Sequence, residues 1–214
     1  MDIKPCGDTA VLVDIHDADA KALGLSTLAV VMNVHRQIQQ LGLPGVIDIV
    51  PAAATVLVTL DTARTTPQEA AQVFANLSLE GTGEIQGNEV VIPVDYSGPD
   101  LEVVAEATGL SVSGVIEKHT EMRWLAAFGG FAPGFVYLVP TTPLWNIPRR
   151  SQPRAKIATG SVGLAGEYSG VYPQASPGGW QIIGTTDTPM WEVNRTPPAY
   201  IQPGDTVRFE ARNA

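Results

Sequence analysis

The sequence predicts an α+β chain, with a small α/β domain over residues 1–87 followed over residues 88–214 by a closed or nearly closed β-barrel flanked by one or two helices. Three observations predict this. Before residue 80, segments with apolar residues at three- and four-residue steps alternate with short β-rich runs. A polar, glycine-rich stretch from Glu80 to Asn88 then separates the two parts and reads as the domain boundary. From residue 129 onward, glycine and proline recur too often for a long helix, yet the apolar and aromatic residues between them belong to a packed core and not to a linker.

Residues 9–15 (Thr-Ala-Val-Leu-Val-Asp-Ile) form the first strand. A helix follows that is clearest over residues 26–41, where Leu28, Val31, Val34, Ile38 and Leu41 keep helical spacing until Gly42 and Pro44 end it. Strands at residues 46–50 and 55–60 pair through Ala52-Ala53-Ala54. A second helix starts after Thr66-Pro67, with threonine as cap and proline in the first turn, and runs to about Leu79. A strand at residues 89–94 either completes this domain or opens the next.

In the second half, residues 95–109 read as a turn and a short helix, with Asp100 as the candidate cap and Leu101, Val104 and Ala105 on one face. Another helix starts at Ser111 or Ser113 and reaches His119. Short strands are expected at residues 155–158, 161–165, 170–172, 180–184 and 206–211, the last introduced by the turn Pro203-Gly204-Asp205.

With 22 acidic against 13 basic residues the chain is acidic, which argues against a nucleic-acid or anionic-membrane surface and for a small-molecule or protein partner. No apolar run is long enough for a membrane span, and residues 1–8 lack the apolar core of a signal peptide, so a cytoplasmic location is expected. The single cysteine, Cys6, forms no internal disulfide, as a reducing compartment favours, and nothing near it in sequence marks a nucleophile.

Before Asn88 there are four basic and ten acidic residues and no cluster that carries chemistry. His16, Asp17 and Asp19 read as a solvated loop and not a metal site, and His35 as a surface or boundary residue of its helix. This domain reads as a packing or docking module.

In the second half, Arg149, Arg150, Arg154 and Lys156 fall within eight positions with no acid among them. That is the pattern of an anion site, since arginine grips a carboxylate or phosphate through parallel hydrogen bonds; a solvated loop gives the same pattern. Gly178-Gly179 can bring backbone N–H groups close to a ligand. His119 titrates in a range suited to acid–base work, and its place near a helix end equally suits a cap or surface residue. Nucleotide-binding loops, serine-hydrolase elbows and zinc spacings are missing from the sequence.

Taken together, His119, Gly130-Phe131-Ala132-Pro133-Gly134-Phe135-Val136-Tyr137-Leu138, Pro148-Arg149 with Pro153-Arg154, Gly160-Ser161-Val162-Gly163, Gly170-Val171-Tyr172-Pro173, Ser176-Pro177-Gly178-Gly179-Trp180 with Ile183-Gly184-Thr185-Thr186, and Pro203-Gly204-Asp205 resemble the family of the 5-oxoprolinase B subunit, also called KipI-like or allophanate hydrolase subunit 1. The resemblance implies a cyclophilin-like β-barrel as the second domain. It implies two partners, a C-type protein (KipA-like, allophanate hydrolase subunit 2) and an A-type protein, and an ATP-dependent complex that uses Mg2+ and opens 5-oxoproline, a cyclic amide, to glutamate. No evident motif of this chain binds the ATP. His119 becomes the candidate catalytic residue, in an acid–base or orienting role, and Arg149, Arg154, Lys156, Gly178 and Gly179 the candidates for holding substrate or phosphate. The same resemblance carries two alternatives: an inhibitor of a sensor histidine kinase, and a carboxyltransferase-domain protein acting on urea- or allophanate-type amides. The chain departs from the family pattern at Glu167-Tyr168-Ser169-Gly170, where members tend to have Gly-Gln-Thr-Gly, and at Trp124, where tyrosine is common.

Overall fold

The structure, a computed structural model, describes residues 1–81 and 87–212. The chain divides into two compact units, Met1–Ile85 and Gln86–Ala214. The predicted boundary stretch includes residues 82–86, which lie outside the described residues.

In the first unit the elements run β1 (Asp2–Pro5), β2 (Ala10–Asp14), α1 (Asp17–Ala22), α2 (Thr27–Leu41), β3 (Val46–Pro51), β4 (Thr55–Leu60) and α3 (Pro67–Phe74). The strands form one antiparallel sheet in the order β1-β2-β4-β3. Strict alternation puts Val11 and Val13 of β2, and Val56, Val58 and Leu60 of β4, on one face, against Val30, Val31, Val34 and Ile38 of α2 and Ala70 and Phe74 of α3. Helix α2 starts where Ser26 Oγ accepts from Ala29 N at 3.2 Å and stops at Gly42, whose φ of 55° suits glycine. Thr66 and Glu69 form a reciprocal capping box for α3.

Two local expectations are corrected here. Helix α3 ends at Phe74 and not near Leu79, because the chain beyond it is held by side chains of α2: Gln37 Nε2 donates to Ser78 O at 2.7 Å, and Asn33 Nδ2 to Ser78 O and Glu80 O at 3.1 and 3.2 Å. The acidic segment after His16 is the short helix α1 and not a loop.

The second unit continues with β5 (Glu89–Val94), α4 (Leu101–Thr108), α5 (Val112–Glu121), β6 (Trp124–Gly129), β7 (Val136–Pro140), β8 (Arg154–Ile157), β9 (Ser161–Ala165), β10 (Tyr168–Val171), β11 (Ser176–Gly178), β12 (Gln181–Thr185) and β13 (Thr206–Ala211). Seven of these strands form a mixed sheet in the order β12-β9-β10-β7-β6-β13-β5, while β8 and β11 pair separately. Strand β5 therefore belongs to the second unit, where it runs parallel to β13. The segment after β5 nearly closes the sheet: Asp95 and Thr185 exchange backbone hydrogen bonds, and Gly98 N and Asp100 N donate to Ile183 O and Ile182 O of β12. The α+β class read from the sequence is thus what the structure shows, a barrel-like sheet with α4 packed on β12 and α5 on β13.

Side-chain alternation splits the apolar residues of this sheet between two clusters. Leu164, Val171 and Ile183 join a large core with Ile92, Trp124, Leu138 and Phe209. Their neighbours Ala165, Tyr172 and Ile182 join a second, aromatic cluster with Phe135 and Trp180, so the two clusters occupy opposite faces. The glycine- and proline-rich motif at residues 129–138 is the β6–β7 connection and its flanking strand ends, a hairpin the residue pattern did not delimit.

Candidate functional site

Helix α5 places His119 in the large core. It starts where Ser111 Oγ accepts from Gly114 N at 3.1 Å, and its buried face carries Val115 and His119 four residues apart. His119 is 0% exposed. Its Nδ1 lies 2.7 Å from the Tyr96 hydroxyl and its Nε2 3.0 Å from Ser169 Oγ, and its ring packs 4.4 Å from that of Phe209 and 5.0 Å from that of Trp124. Burial depresses its pKa to about 3, so the imidazole is neutral at physiological pH, with one ring nitrogen donating and the other accepting. The two family departures noted in the sequence meet here: Ser169 keeps a hydroxyl on Nε2, and Trp124 Nε1 donates to His119 O at 3.1 Å. Tyr96 separates the histidine from a cleft of about 360 Å³ that it lines with Asp95, Ser113, Glu117 and Thr120.

Asp100 is the second buried polar centre, and it overturns its reading as a helix cap. Its side chain makes no capping bond to α4. The carboxylate, 2% exposed, accepts from Arg154 through both terminal guanidinium nitrogens at 2.8 Å each, from Arg150 Nη1 at 2.8 Å, and from Ile182 N at 2.6 Å. Burial works to raise the Asp100 carboxyl, but the bonds from Arg154 and Ile182 and the field of both arginines hold it below the usual carboxylate range. The 148–154 loop is tied down further by Arg150 N donating to Gly179 O at 2.8 Å and Gln181 Nε2 to Pro148 O at 3.1 Å. Two of the clustered arginines are thus spent on an internal ion cluster.

Arg149 is left on the surface, and among the described residues it forms no ion pair. The position a Cβ would take at Gly179 is 3.8 Å from Arg149 Nε, and the corresponding position at Gly178 is 2.6 Å from the Tyr172 hydroxyl. Gly178 therefore lets the Tyr172 hydroxyl and Ile157 pack against its backbone, which any larger residue would prevent, while a Cβ at Gly179 would make only ordinary contact with Arg149. Around them lies the aromatic cluster: the ring of Phe135 packs edge-on against Tyr137, Tyr172 and Trp180 at 5.1 to 5.4 Å. Phe131 adds a rim, 6.0 Å from the Tyr172 ring and 59% exposed. It sits at φ 70°, and Ala132 N donates to Gly130 O at 2.8 Å across it, the geometry of a strained γ-turn that few non-glycine residues adopt.

Of the six sequence candidates, Arg149, Gly178 and Gly179 come together. Arg154 is turned inward to Asp100, Lys156 is exposed on β8, and His119 lies in the large core on the other face of the sheet. Sequence reasoning did not single out Asp100's ion cluster, Tyr96, Tyr172 or the strained Phe131. Tyr172 and Phe131 stood within quoted motifs, so a search for aromatics flanking the arginine loop would have found them. No group of three or more His, Cys, Asp or Glu among the described residues is placed to hold a metal ion. Among the described residues, no helix is long and apolar enough to cross a membrane.

The fold and the matched stretch define the class of protein. The family described as carboxyltransferase domain, subdomain C and D, matches residues 1–201. The chain is 36% identical to the 5-oxoprolinase B subunit of Escherichia coli O157:H7, over 95% of this chain and 92% of the relative. It is 32% identical to the 5-oxoprolinase B subunit of Bacillus subtilis, over 97% and 91%. The crystal structure of TTHA0988 resembles it with a TM-score of 0.78 at 28% identity, covering 97% of this chain and 40% of that one, so the chain spans less than half of that protein. The chain belongs to the family of the 5-oxoprolinase B subunit.

Proposed function

We propose that the chain is the B subunit of an ATP-dependent 5-oxoprolinase, which with A-type and C-type partners opens 5-oxo-L-proline to L-glutamate. The observation that carries this reading is the exposed, unpaired Arg149 beside Gly178-Gly179, at the edge of the buried aromatic cluster. An exposed guanidinium of this kind is half a site, and a partner protein completes it. The names of the relatives support the same reading.

A lactam carbonyl is a poor electrophile, and transfer of a phosphoryl group from ATP to its oxygen makes attack by water feasible. With no nucleotide-binding loop in the sequence, activation is assigned to the partners. This chain's part is to hold and orient the substrate. The Arg149 guanidinium offers paired N–H donors to a carboxylate, which fixes the ring for attack. His119, buried and neutral, serves as a positioning residue for the barrel and takes no proton from the substrate.

The test is glutamate formation and 5-oxoproline-dependent ATP hydrolysis by this chain mixed with its A-type and C-type partners, omitting each protein in turn. Turnover that needs this chain supports the reading. No turnover in a mixture whose proteins demonstrably bind one another overturns it. A second reading, a docking protein that inhibits a sensor kinase, is favoured by exposed Phe131, Trp191 and Val193 on the second unit. It predicts kinase inhibition that survives Arg149→Gln.

A further inference from the structure

The cleft beside the His119 centre is lined by two carboxylates that the fold leaves free. One wall is a face of α5, which carries Ser113, Ile116, Glu117 and Thr120 at helical spacing, and the other is the end of β5 and the two residues after it, Val94, Asp95 and Tyr96. The space of about 360 Å³ between them is at the lower end of what proteins use to hold small molecules. Val94, Ile116, Ala211 and the Tyr96 ring supply its apolar lining. Tyr96 is fixed from behind: its hydroxyl, 2.7 Å from His119 Nδ1, is spent in the core. Burial also raises the pKa of this phenol, so it stays neutral and meets the cleft as an aromatic surface.

The free charges at this place are of one sign. Among the described residues, neither the Asp95 nor the Glu117 carboxylate makes a hydrogen bond or an ion pair. Nearby cations are engaged elsewhere: Arg212, which feels the Asp95 charge, is bound to Asp187, and Lys118 pairs with Glu121 on its own helix. The hydroxyls do not change the balance, because Thr120 donates back to Ile116 O or Glu117 O at 2.9 and 3.0 Å and Ser113 Oγ lies 2.9 Å from Ser111 Oγ. Two acids on an open surface would be a solvated face. Here they stand at an enclosed space with low-dielectric walls, which concentrate a field of one sign, and beside an aromatic ring, which attracts cations.

We propose that this cleft binds a small organic cation, an alkylammonium group on a short apolar chain, with its charge neutralised by Asp95 and Glu117 and its chain against Tyr96, Ile116 and Val94. The site is separate from Arg149 and goes beyond the 5-oxoprolinase reading, whose substrate is an anion that this cleft repels. Because Tyr96 also holds His119, and His119 holds Ser169 of β10, occupancy reaches the core through one hydrogen-bonded chain.

The experiment titrates the full 15N-labelled chain with n-butylammonium chloride and, separately, with 1-butanol and with sodium butyrate, following the backbone amides and the His119 ring resonances. Butylammonium is expected to move Tyr96, Ser113, Glu117, Thr120 and the His119 ring together, with the saturable millimolar affinity that so small a ligand allows. Binding should be at least about tenfold weaker for 1-butanol and for butyrate, and about fivefold weaker in Asp95→Asn and in Glu117→Gln. Both variants keep the side-chain size at exposed positions, and unchanged spectral dispersion shows that they fold. Loose attraction of a cation to an acidic chain gives a different picture, in which Asp17 and Asp19 in the first turn of α1 move as far as the cleft residues and the His119 ring stays still. That picture, equal binding of butylammonium and 1-butanol, or affinity indifferent to both variants overturns the proposal. The omission assay does not depend on this site, so its failure and the failure of the 5-oxoprolinase reading are read separately.

Discussion

The second unit buries two polar centres, and they are built on opposite principles. Around His119 every member is neutral: a phenol, an imidazole and a serine hydroxyl share hydrogen bonds inside an apolar core. Around Asp100 every side chain is charged, and the carboxylate is matched by two arginines and a backbone N–H. The neutral centre tolerates complete burial because no charge has to leave water. The ionic one lies where Arg150 and Arg154 keep 32% and 25% of their side chains exposed, so only the carboxylate is fully desolvated. The difference teaches that a reactive side chain is engaged by whichever partner the fold brings to it. Of the residues that looked reactive in the sequence, His119 and Arg154 are engaged in these two centres, while Arg149 is exposed outside both.

The comparison breaks most visibly at Asp100. Asp100→Ala leaves Arg150 and Arg154 without a counter-charge and the Ile182 N–H without an acceptor. Urea unfolding is expected to show a loss of about 2–3 kcal/mol, less than for a fully buried pair because both arginines can rehydrate. His119→Phe comes next. It keeps a ring of similar shape but orphans the Tyr96 and Ser169 hydroxyls, for an expected loss of about 2 kcal/mol at pH 7.5 by the same measurement.

The two centres separate further with pH. His119 has a folded pKa depressed from 6.5 to about 3, so below 6.5 the unfolded chain binds a proton that the native chain does not. Stability from this centre is full above pH 6.5 and falls by about 1.4 kcal/mol per pH unit below it, so wild type and His119→Phe are expected to become equally stable near about pH 5. Asp100 is also depressed, but from 3.8, so its stabilisation is present above that value and is lost only as pH falls below it. The gap between wild type and Asp100→Ala should therefore hold at pH 5 where the histidine gap has closed; parallel loss of both gaps would show that the two centres are coupled. Unfolding curves of the three proteins from pH 8 to 4 check this.

The smallest effects come from outside both centres. Thr66→Ala removes one half of the capping box of α3 in the first unit and should cost about 1 kcal/mol without changing the pH dependence. Arg149→Gln should leave stability within about 0.5 kcal/mol of wild type, because the side chain is exposed and unpaired, while raising the KM for 5-oxoproline about tenfold or more in the reconstituted complex. A stability loss comparable to that of Asp100→Ala would place Arg149 in the ion cluster and remove it from the site.

The sequence by itself determined what depends on near neighbours along the chain. Helical spacing ended by Gly42 and Pro44 marked α2, β-rich runs marked β2 and β4, the turn Pro203-Gly204-Asp205 marked β13, and Thr66-Pro67 marked the start of α3, because caps, turns and side-chain period act over a few residues. The motifs from Gly130 to Trp180 also pointed to the family. Only the tertiary structure decided how the barrel-like sheet nearly closes, with residues 95–100 hydrogen-bonded to β12, and that β5 lies parallel to β13. It also decided the fate of the polar residues. Asp100 looked like a cap because the residue after it starts a helix, but its carboxylate found Arg154, 54 positions away, and His119 found Ser169, 50 positions away. A charge or an imidazole carries no local sign of the partner it will meet; burial and the geometry of the sheet choose that partner, and here they left Arg149 exposed and outside both centres.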